Sequence, residues 1–233
     1  MEKRKPKSSD AHQPADLRII GGHFRGRKLR YELFDQGGDP TTRPMKDRVR
    51  EAIFNLIGPE VKGCHAIDLF AGTGALGLEA LSRGAASATF IEKHVPTARV
   101  VEENIQTLEV QDRTELLMTS AFLWGKRDLP KGEGERGKGE EANCSPFRFP
   151  LSALTPWLVF CSPPYAFYVD REQEVLELIE AILAYVPVGS IVVVESDPRF
   201  DFELLPGPVA QKKERVGWDV RTYSPAVVGV LRT

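Results

Sequence analysis

The segment Asp68-Leu69-Phe70-Ala71-Gly72-Thr73-Gly74-Ala75-Leu76-Gly77 lies where a buried strand passes into a helix. The apolar run 66–70 predicts the strand, and periodic apolar residues over 74–83 predict the helix, which Gly84 ends. Glycines let the backbone turn sharply and approach a ligand closely, and the first turn of the helix offers free N–H groups. The segment therefore predicts a nucleotide-type cofactor site at the end of the first strand of an α/β sheet.

Two carboxylates narrow the class of cofactor. The glycine spacing G-x-G-x-x-G is shared with dinucleotide-binding proteins. Asp68, directly before the glycines, would repel a pyrophosphate but suits the cationic end of a cofactor that carries an amino acid. Glu92 ends the second predicted strand, a position that reaches a ribose diol in Rossmann-like sheets. Both acids and the glycine loop agree with one site.

Strands and helices alternate along most of the chain, which predicts a parallel sheet covered on both faces. We predict further strands at 87–91, 114–118, 157–161 and 190–195, helices at 95–108 and 172–185, and a closing pair of strands at 212–216 and 226–231. The stretch 125–150 is polar and rich in Gly, Glu and Lys, so it predicts a flexible surface insertion.

The N-terminal part differs from the rest in charge. Residues 1–50 hold 13 Lys and Arg against 7 Asp and Glu, whereas the other 183 residues hold 18 against 26. A basic arm on an acidic body predicts a polyanionic partner such as nucleic acid, although a solvated basic face without a partner explains the charge equally well.

Three regions follow from these patterns: a disordered tail (1–16), a basic hairpin and helix (17–58), and a main domain (59–233). The hairpin turns at glycines 21, 22 and 26. The helix starts after Pro44 with Asp47 as its cap, and Arg50 is predicted to face solvent.

A second chemical motif, Cys161-Ser162-Pro163-Pro164-Tyr165, follows the fourth predicted strand. An exocyclic amine on a base is a poor nucleophile because its lone pair is delocalised into the ring. The Ser162 hydroxyl and the Pro163 carbonyl can accept its N–H groups and orient the lone pair. Pro164 fixes the turn, and Tyr165 can stack on an extruded base. Taken alone, the motif fits a rigid strand exit with a core tyrosine equally well.

These segments resemble one family. DLFAGTGALGLEALSRGA (68–85) is similar to motif I of class I methyltransferases, and SPPY (162–165) to their amine-methylating motif. RIIGGHFRGRKL (18–29) and TRPMKDRVREAIFNLIG (42–58) resemble signature segments of the RsmD-type guanine-N2 methyltransferases of 16S ribosomal RNA. The resemblance runs from about residue 17 to the C-terminus, apart from the insertion. It implies a Rossmann-like class I fold: a mostly parallel seven-stranded sheet with helices on both faces and an N-terminal β-hairpin arm.

The resemblance also implies a cofactor, S-adenosyl-L-methionine, and a role for each segment. Its methionine part would lie on Phe70, Ala71, Gly72, Thr73 and Gly74, and its ribose on Glu92, with Asp68 beside them. Ser120 stands where the family has an Asp that meets the adenine amine, and Ser162 where it usually has a catalytic Asp. The candidate phosphate contacts on the arm are Arg18, Arg25, Arg27, Lys28 and Arg30. Arg43 and Arg48 could face RNA or the carboxylate of the cofactor.

Three functions therefore stay open. The first is methylation of a guanine N2 amine in small-subunit ribosomal RNA, free or in an assembling subunit. The second is methylation of cytosine N4 or adenine N6 in DNA or RNA, since S-P-P-Y is common in DNA cytosine-N4 enzymes. The third is a catalytically weak ribosome-binding protein, which the serines at 120 and 162 favour. Cys64, Cys144 and Cys161 are too few and too scattered for a disulfide framework or a zinc site, so we expect a cytoplasmic protein without a metal. The sequence has no run of 18 or more apolar residues, so we expect no membrane segment. The family resemblance suggests a monomer.

Overall fold

A computed structural model describes residues 17–32, 45–129, 155–210 and 216–233. Arg43, the tail predicted for residues 1–16 and most of the predicted insertion lie outside these ranges.

Seven strands of the described residues form one sheet in the order β3-β2-β1-β4-β5-β7-β6. The strands are β1 His65–Asp68, β2 Ser87–Ile91, β3 Thr114–Leu117, β4 Trp157–Cys161, β5 Ile191–Ser196, β6 Asp219–Tyr223 and β7 Ala226–Arg232. Strands β1 to β5 are parallel, and β7 is antiparallel to both β5 and β6. The predicted Rossmann-like sheet is confirmed.

Helices cover both faces of this sheet. They are α1 Asp47–Ile57, α2 Ala75–Ser82, α3 Val95–Leu108, α4 Ala121–Arg127, α5 Phe167–Asp170 and α6 Glu172–Tyr185. Successive strand residues point to opposite faces, so Ala66 joins a core with α1, α2 and α3, whereas Ile67 joins a second core with α4, α5 and α6.

The N-terminal segment packs on the first of these faces. Arg18 and Lys28 form an antiparallel bridge, and the Leu29 N–H donates to the Leu17 carbonyl at 2.8 Å. Leu17 and Leu29 are buried in the same core as α1 and the sheet. The predicted hairpin is therefore present as a short bridged loop, and the packing crosses the predicted boundary between residues 58 and 59.

A buried carboxylate, Glu79 of α2, holds this segment against α2 through hydrogen bonds. Its oxygens accept the N–H groups of Ile20 and Gly21 at 2.8 and 2.7 Å and the Arg83 Nε at 2.7 Å. Arg50 of α1, 0% exposed, places its Nε 3.7 Å from the same carboxylate and donates through Nη2 to the Arg18 carbonyl at 2.6 Å. The prediction that Arg50 faces solvent is wrong, because its guanidinium joins α1 to the hairpin and α2.

One further local prediction is wrong. Lys46, not Asp47, is the residue before the first turn of α1, and its side chain makes no cap bond; the Asp47 carboxylate instead accepts a hydrogen bond from Arg50 at 2.9 Å. The predicted strand at 212–216 lies outside the described residues except for Val216. The strand that pairs with β7 is Asp219–Tyr223, with Asp219 opposite Val230.

The predicted insertion also begins too early. Gly125, Lys126 and Arg127 belong to α4, which the polar composition concealed. A Cβ on Gly125 would lie 2.5 Å from Leu178, so this glycine permits close packing of α4 on α6. The segment that follows residue 129 lies outside the described ranges.

Replacement of Glu79 tests the importance of this ion network. Glu79→Ala removes the acceptor of two backbone N–H groups and leaves Arg50 buried without its neighbour, so we expect a loss of about 3–5 kcal/mol in the free energy of unfolding. Urea denaturation measures it. Glu51→Ala on the exposed face of α1 is the control and should change stability by less than about 0.5 kcal/mol. A loss below about 1 kcal/mol for Glu79→Ala would contradict the assignment.

Candidate cofactor and amine site

The five parallel strands end at one side of the sheet, here called the carboxyl edge. The glycine loop after β1, Glu92 after β2, Ser120 after β3, the Ser162 turn after β4 and the end of β5 all lie along it. Open α/β sheets bind ligands at this edge. The fold therefore brings the two predicted motifs to neighbouring strands.

The glycine loop is tied to the end of β2. The Ala71 N–H donates to the Ile91 carbonyl at 3.0 Å, and Gly72 and Gly74 adopt left-handed backbone with φ of 55° and 78°. A Cβ on Gly77 would lie 2.4 Å from the Phe90 ring, so this glycine lets α2 pack directly on β2. Gly74, the residue before α2, has no side chain to cap the helix, and the Gly77 N–H of the first turn is accepted by Asp68. The N–H groups of Ala75 and Leu76 are the ones that the first turn can offer to a ligand.

Glu92 lies directly beside this loop. Its two oxygens accept the N–H groups of Gly72 and His94 at 2.9 and 2.8 Å. Burial raises the pKa of Glu92, while these two backbone bonds oppose that shift. The carboxylate thus holds the loop in place and stands where the sequence predicts a ribose contact.

Asp68 has a more internal position than the sequence argument assumed. The buried carboxylate accepts the Gly77 N–H at 3.2 Å and so joins the end of β1 to α2. Burial raises the pKa of Asp68 to about 7, so its negative charge is reduced near neutral pH. Its direct contact with a cofactor stays a prediction.

Aromatic rings connect the loop to the elements on the second face. The Phe70 ring lies 5.6 Å from Phe122 of α4 and 6.3 Å from Phe167 of α5, and the Arg171 guanidinium stacks 4.1 Å above Phe122. Ser120 is half-buried at the start of α4, where its carbonyl accepts the Trp124 N–H at 2.9 Å. The predicted contact between Ser120 and an adenine stays a prediction.

The turn after β4 has a partner that sequence reasoning missed. Ser162 Oγ and Tyr165 Oη each donate a hydrogen bond to a different oxygen of Glu195. Glu195 is 5% exposed and lies near the end of β5, where Cys161 pairs with Val194. Its signal in the sequence was an acid that ends the apolar run Ile191–Val194 on the strand beside the motif.

Glu195 has a shifted pKa with opposing causes. Burial raises it, and the hydrogen bonds from Ser162 and Tyr165 act against this because they stabilise the ionised form. The pKa of Tyr165 is raised, first by burial and then by the bond to Glu195. Tyr165 therefore stays protonated, and its hydroxyl donates a hydrogen bond to the carboxylate.

The predicted RNA-binding side chains fall into two groups. Three have partners within the protein: Arg27 donates to the Thr107 carbonyl, Arg30 to Glu32 and Glu103, and Arg48 to the Ser224 carbonyl at 2.8 Å. Within the described ranges, the exposed side chains of Arg18 and Arg25 make no ion pair or hydrogen bond, whereas exposed Lys28 has an interaction partner.

The hairpin tip and Arg48 lie at different edges of the sheet. The His23 N–H donates to the Ser82 carbonyl at 2.7 Å, and Ser82 ends α2 on the side away from the carboxyl edge. The hairpin tip with Arg25 therefore lies opposite the Ser162 turn. Arg48 starts α1 beside the β6–β7 turn, which is at the carboxyl edge because Val227 pairs with Ser196.

The described residues hold neither a cluster of metal ligands nor a membrane-spanning helix. Within residues 17–32, 45–129, 155–210 and 216–233, no three His, Cys, Asp or Glu side chains are grouped as metal ligands. Over the same ranges, no helix has the length and apolarity that a membrane span requires.

Known proteins share both the sequence motifs and the fold. Residues 17–133, half of the chain, match the family model described as Conserved hypothetical protein 95. "Ribosomal RNA small subunit methyltransferase D" of Escherichia coli (strain K12) is 45% identical over 106 residues, which are 46% of this chain and 50% of that protein. The chain thus spans about half the length of this curated relative.

A second relative and two solved structures match over more of the chain. "Putative rRNA methyltransferase YlbH" of Bacillus subtilis (strain 168) is 29% identical over 86% of this chain and 94% of that protein. The structure titled "Putative methyltransferase yhhF from Escherichia coli" has a TM-score of 0.62 at 26% identity and covers 92% of this chain and 96% of that one. An RNA methyltransferase from Salinibacter ruber in complex with S-adenosyl-L-homocysteine has a TM-score of 0.52 over 81% of this chain and 92% of its own, and at 15% identity it shows the fold alone.

Proposed function

The chain belongs to the family described as Conserved hypothetical protein 95, the RsmD-type family that its motifs resemble, and we propose that it is a methyltransferase. Its reaction transfers the methyl group of S-adenosyl-L-methionine to the exocyclic N2 amine of a guanine in 16S ribosomal RNA. The observation that carries the proposal is the position of the Ser162 turn, one strand away from the glycine loop at the same edge.

The residues at the loop fit this cofactor. Glu92 supplies a carboxylate that matches a ribose diol. The first N–H groups of α2, at Ala75 and Leu76, are available for an anionic carboxylate, whereas the Gly77 N–H is bonded to Asp68. Phe70 and Phe122 offer apolar ring surface beside the loop. The cofactor supplies a methyl group on a positively charged sulfur, which is the electrophile of the reaction.

The chain's own residues orient the amine. The Ser162 hydroxyl oxygen and the Pro163 carbonyl accept its two N–H groups, and the ring of half-buried Tyr165 offers a stacking surface for the base. The two N-terminal segments favour 16S ribosomal RNA over DNA, because DNA cytosine-N4 enzymes lack them. Glu195 weighs against a catalytically weak protein. Ser162 replaces the carboxylate that the family usually has in this turn, and Glu195 supplies a carboxylate beside it.

The proposed setting follows from the substrate. Ribosomal RNA, free or in an assembling small subunit, is the proposed partner of a monomeric enzyme in the cytoplasm. Arg18 and Arg25 are the proposed phosphate contacts on the hairpin, and Arg48 on the carboxyl edge.

Calorimetry tests the cofactor. We expect S-adenosyl-L-methionine to bind and NAD not to bind. Glu92→Ala should weaken binding by about 1.5–3 kcal/mol, because a charge-assisted hydrogen bond to the ribose is lost. Glu102→Ala, an exposed acid on α3, is the control and should leave affinity unchanged. Binding of NAD without binding of S-adenosyl-L-methionine would refute the assignment.

Methyl transfer tests the reaction. The enzyme is incubated with labelled S-adenosyl-L-methionine and 16S RNA, assembling small subunits or DNA, and the products are identified by nucleoside mass spectrometry. We expect N2-methylguanosine. Ser162→Ala should reduce the rate by about 10²–10³ with unchanged cofactor binding, because one positioned polar group is lost. A methylated cytosine or adenine would replace the guanine assignment, and no product from any substrate would refute the activity.

The salt dependence of RNA binding tests the hairpin. Arg25→Ala should weaken binding and lower the log–log salt slope by roughly one unit, because one phosphate contact is lost. Arg221→Ala is the matched control, since this exposed arginine is paired with Asp219 on β6. An unaltered slope for the double variant Arg25→Ala/Lys28→Ala would exclude the hairpin as a phosphate clamp.

A further inference from the structure

We propose that Glu195 is a positioning residue for methyl transfer, which commits the Ser162 hydroxyl to accept the target amine and receives a proton through it. The inference rests on the proposed function. Its basis is that one buried carboxylate accepts hydrogen bonds from the hydroxyl groups of both Ser162 and Tyr165.

The first step in the argument is the hydroxyl inventory of Ser162. A serine hydroxyl has one proton to donate and two lone pairs that accept. The Ser162 hydroxyl donates its one hydrogen bond to Glu195 Oε2. Towards any other group, Oγ can then act only as a hydrogen-bond acceptor. Ser162 is half-buried and lies at the carboxyl edge.

This arrangement selects the chemistry of the base. An oxygen that only accepts binds an exocyclic amine, which donates, and does not bind a carbonyl oxygen of a base. A free serine hydroxyl would rotate and bind either group. Donation to an ionised carboxylate also polarises the hydroxyl and strengthens it as an acceptor. Ser162 and Glu195 together thus replace the single Asp usual in the family.

The proton balance of the reaction follows the same path. The amine nitrogen forms a bond to the methyl carbon, the carbon–sulfur bond breaks, and its electron pair stays on sulfur. The nitrogen then carries a positive charge and loses one proton to Ser162 Oγ. The original Ser162 proton moves to Glu195, so the serine ends neutral and Glu195 ends protonated. Release of that proton to water completes the cycle.

The surroundings of Glu195 act on its pKa in both directions: burial favours the protonated acid, and the two hydroxyls that donate to it favour the ionised form. The groups facing it are Cys161 of β4, Tyr165 of the turn, Tyr168 of α5 and Asp197, which is paired with Arg199. The adjacent strand β7 presents apolar Val228 opposite Glu195. Burial and Asp197 raise the pKa of Glu195, so its carboxylate accepts a proton more readily than an exposed glutamate.

Titration of Glu195 by NMR tests the arrangement without substrate or cofactor. Carboxyl-labelled glutamates are followed against pH, and the signal absent from Glu195→Gln is assigned to Glu195. Ser162→Ala and Tyr165→Phe should each raise the pKa of that signal, because each removes a bond to the ionised form. Thr222→Ala and Tyr185→Phe are the matched controls and should not. If Glu195→Gln fails to fold, the signal that shifts in both site variants serves instead, and absence of such a signal overturns the proposal.

Kinetics test the role in transfer. Glu195→Gln should lower kcat on the order of 10²-fold with unchanged cofactor affinity, and should remove the fall in rate at low pH that protonation of Glu195 causes. Adding Ser162→Asp to Glu195→Gln should restore most of the rate, because the carboxylate then meets the amine directly. A structural role alone would not produce this rescue.

The outcomes separate the two proposals. An active wild-type enzyme whose Glu195→Gln variant keeps its rate and pH profile overturns the role of Glu195 and leaves the proposed function standing. A wild-type protein that methylates none of the substrates overturns both.

Discussion

The buried carboxylate of Glu79 is the interaction on which the arrangement of the N-terminal half depends. A charge inside a protein must be paired and hydrogen-bonded, or its burial is unfavourable. Glu79 meets this requirement with two backbone N–H groups of the hairpin and with arginines on α1 and α2. The pairing fixes the hairpin and α1 against the sheet and so places Arg48 at the carboxyl edge.

Carboxylates recur at the ends of the strands and organise the site. Glu92 holds the glycine loop through the Gly72 N–H, and Glu195 holds the amine turn through two hydroxyls. Each accepts hydrogen bonds from a loop that lacks regular secondary structure, so each restrains a segment that would otherwise vary in conformation. Both acids are mostly buried, which strengthens their hydrogen bonds and raises their pKa values.

Several arginines of the basic N-terminal region bind other parts of the protein. Arg27, Arg30 and Arg48 are bonded to carbonyls or carboxylates of the domain, and Arg50 is buried. An arginine engaged in this way meets a phosphate only if it exchanges one partner for another. A count of basic residues therefore overstates the number of side chains available to RNA. The position of each arginine relative to the carboxyl edge indicates better which ones can contact RNA.

The sequence by itself determined the alternation of strands and helices, the glycine loop and the amine turn, because each follows from neighbouring residues and their periodicity. It did not determine the partner of Ser162, since Glu195 is 33 residues away and meets it only when β4 and β5 pair. It also misplaced Arg50, where a buried ion network decided the outcome. Local propensity depends on adjacent residues, whereas burial and pairing depend on which distant segments the fold brings together.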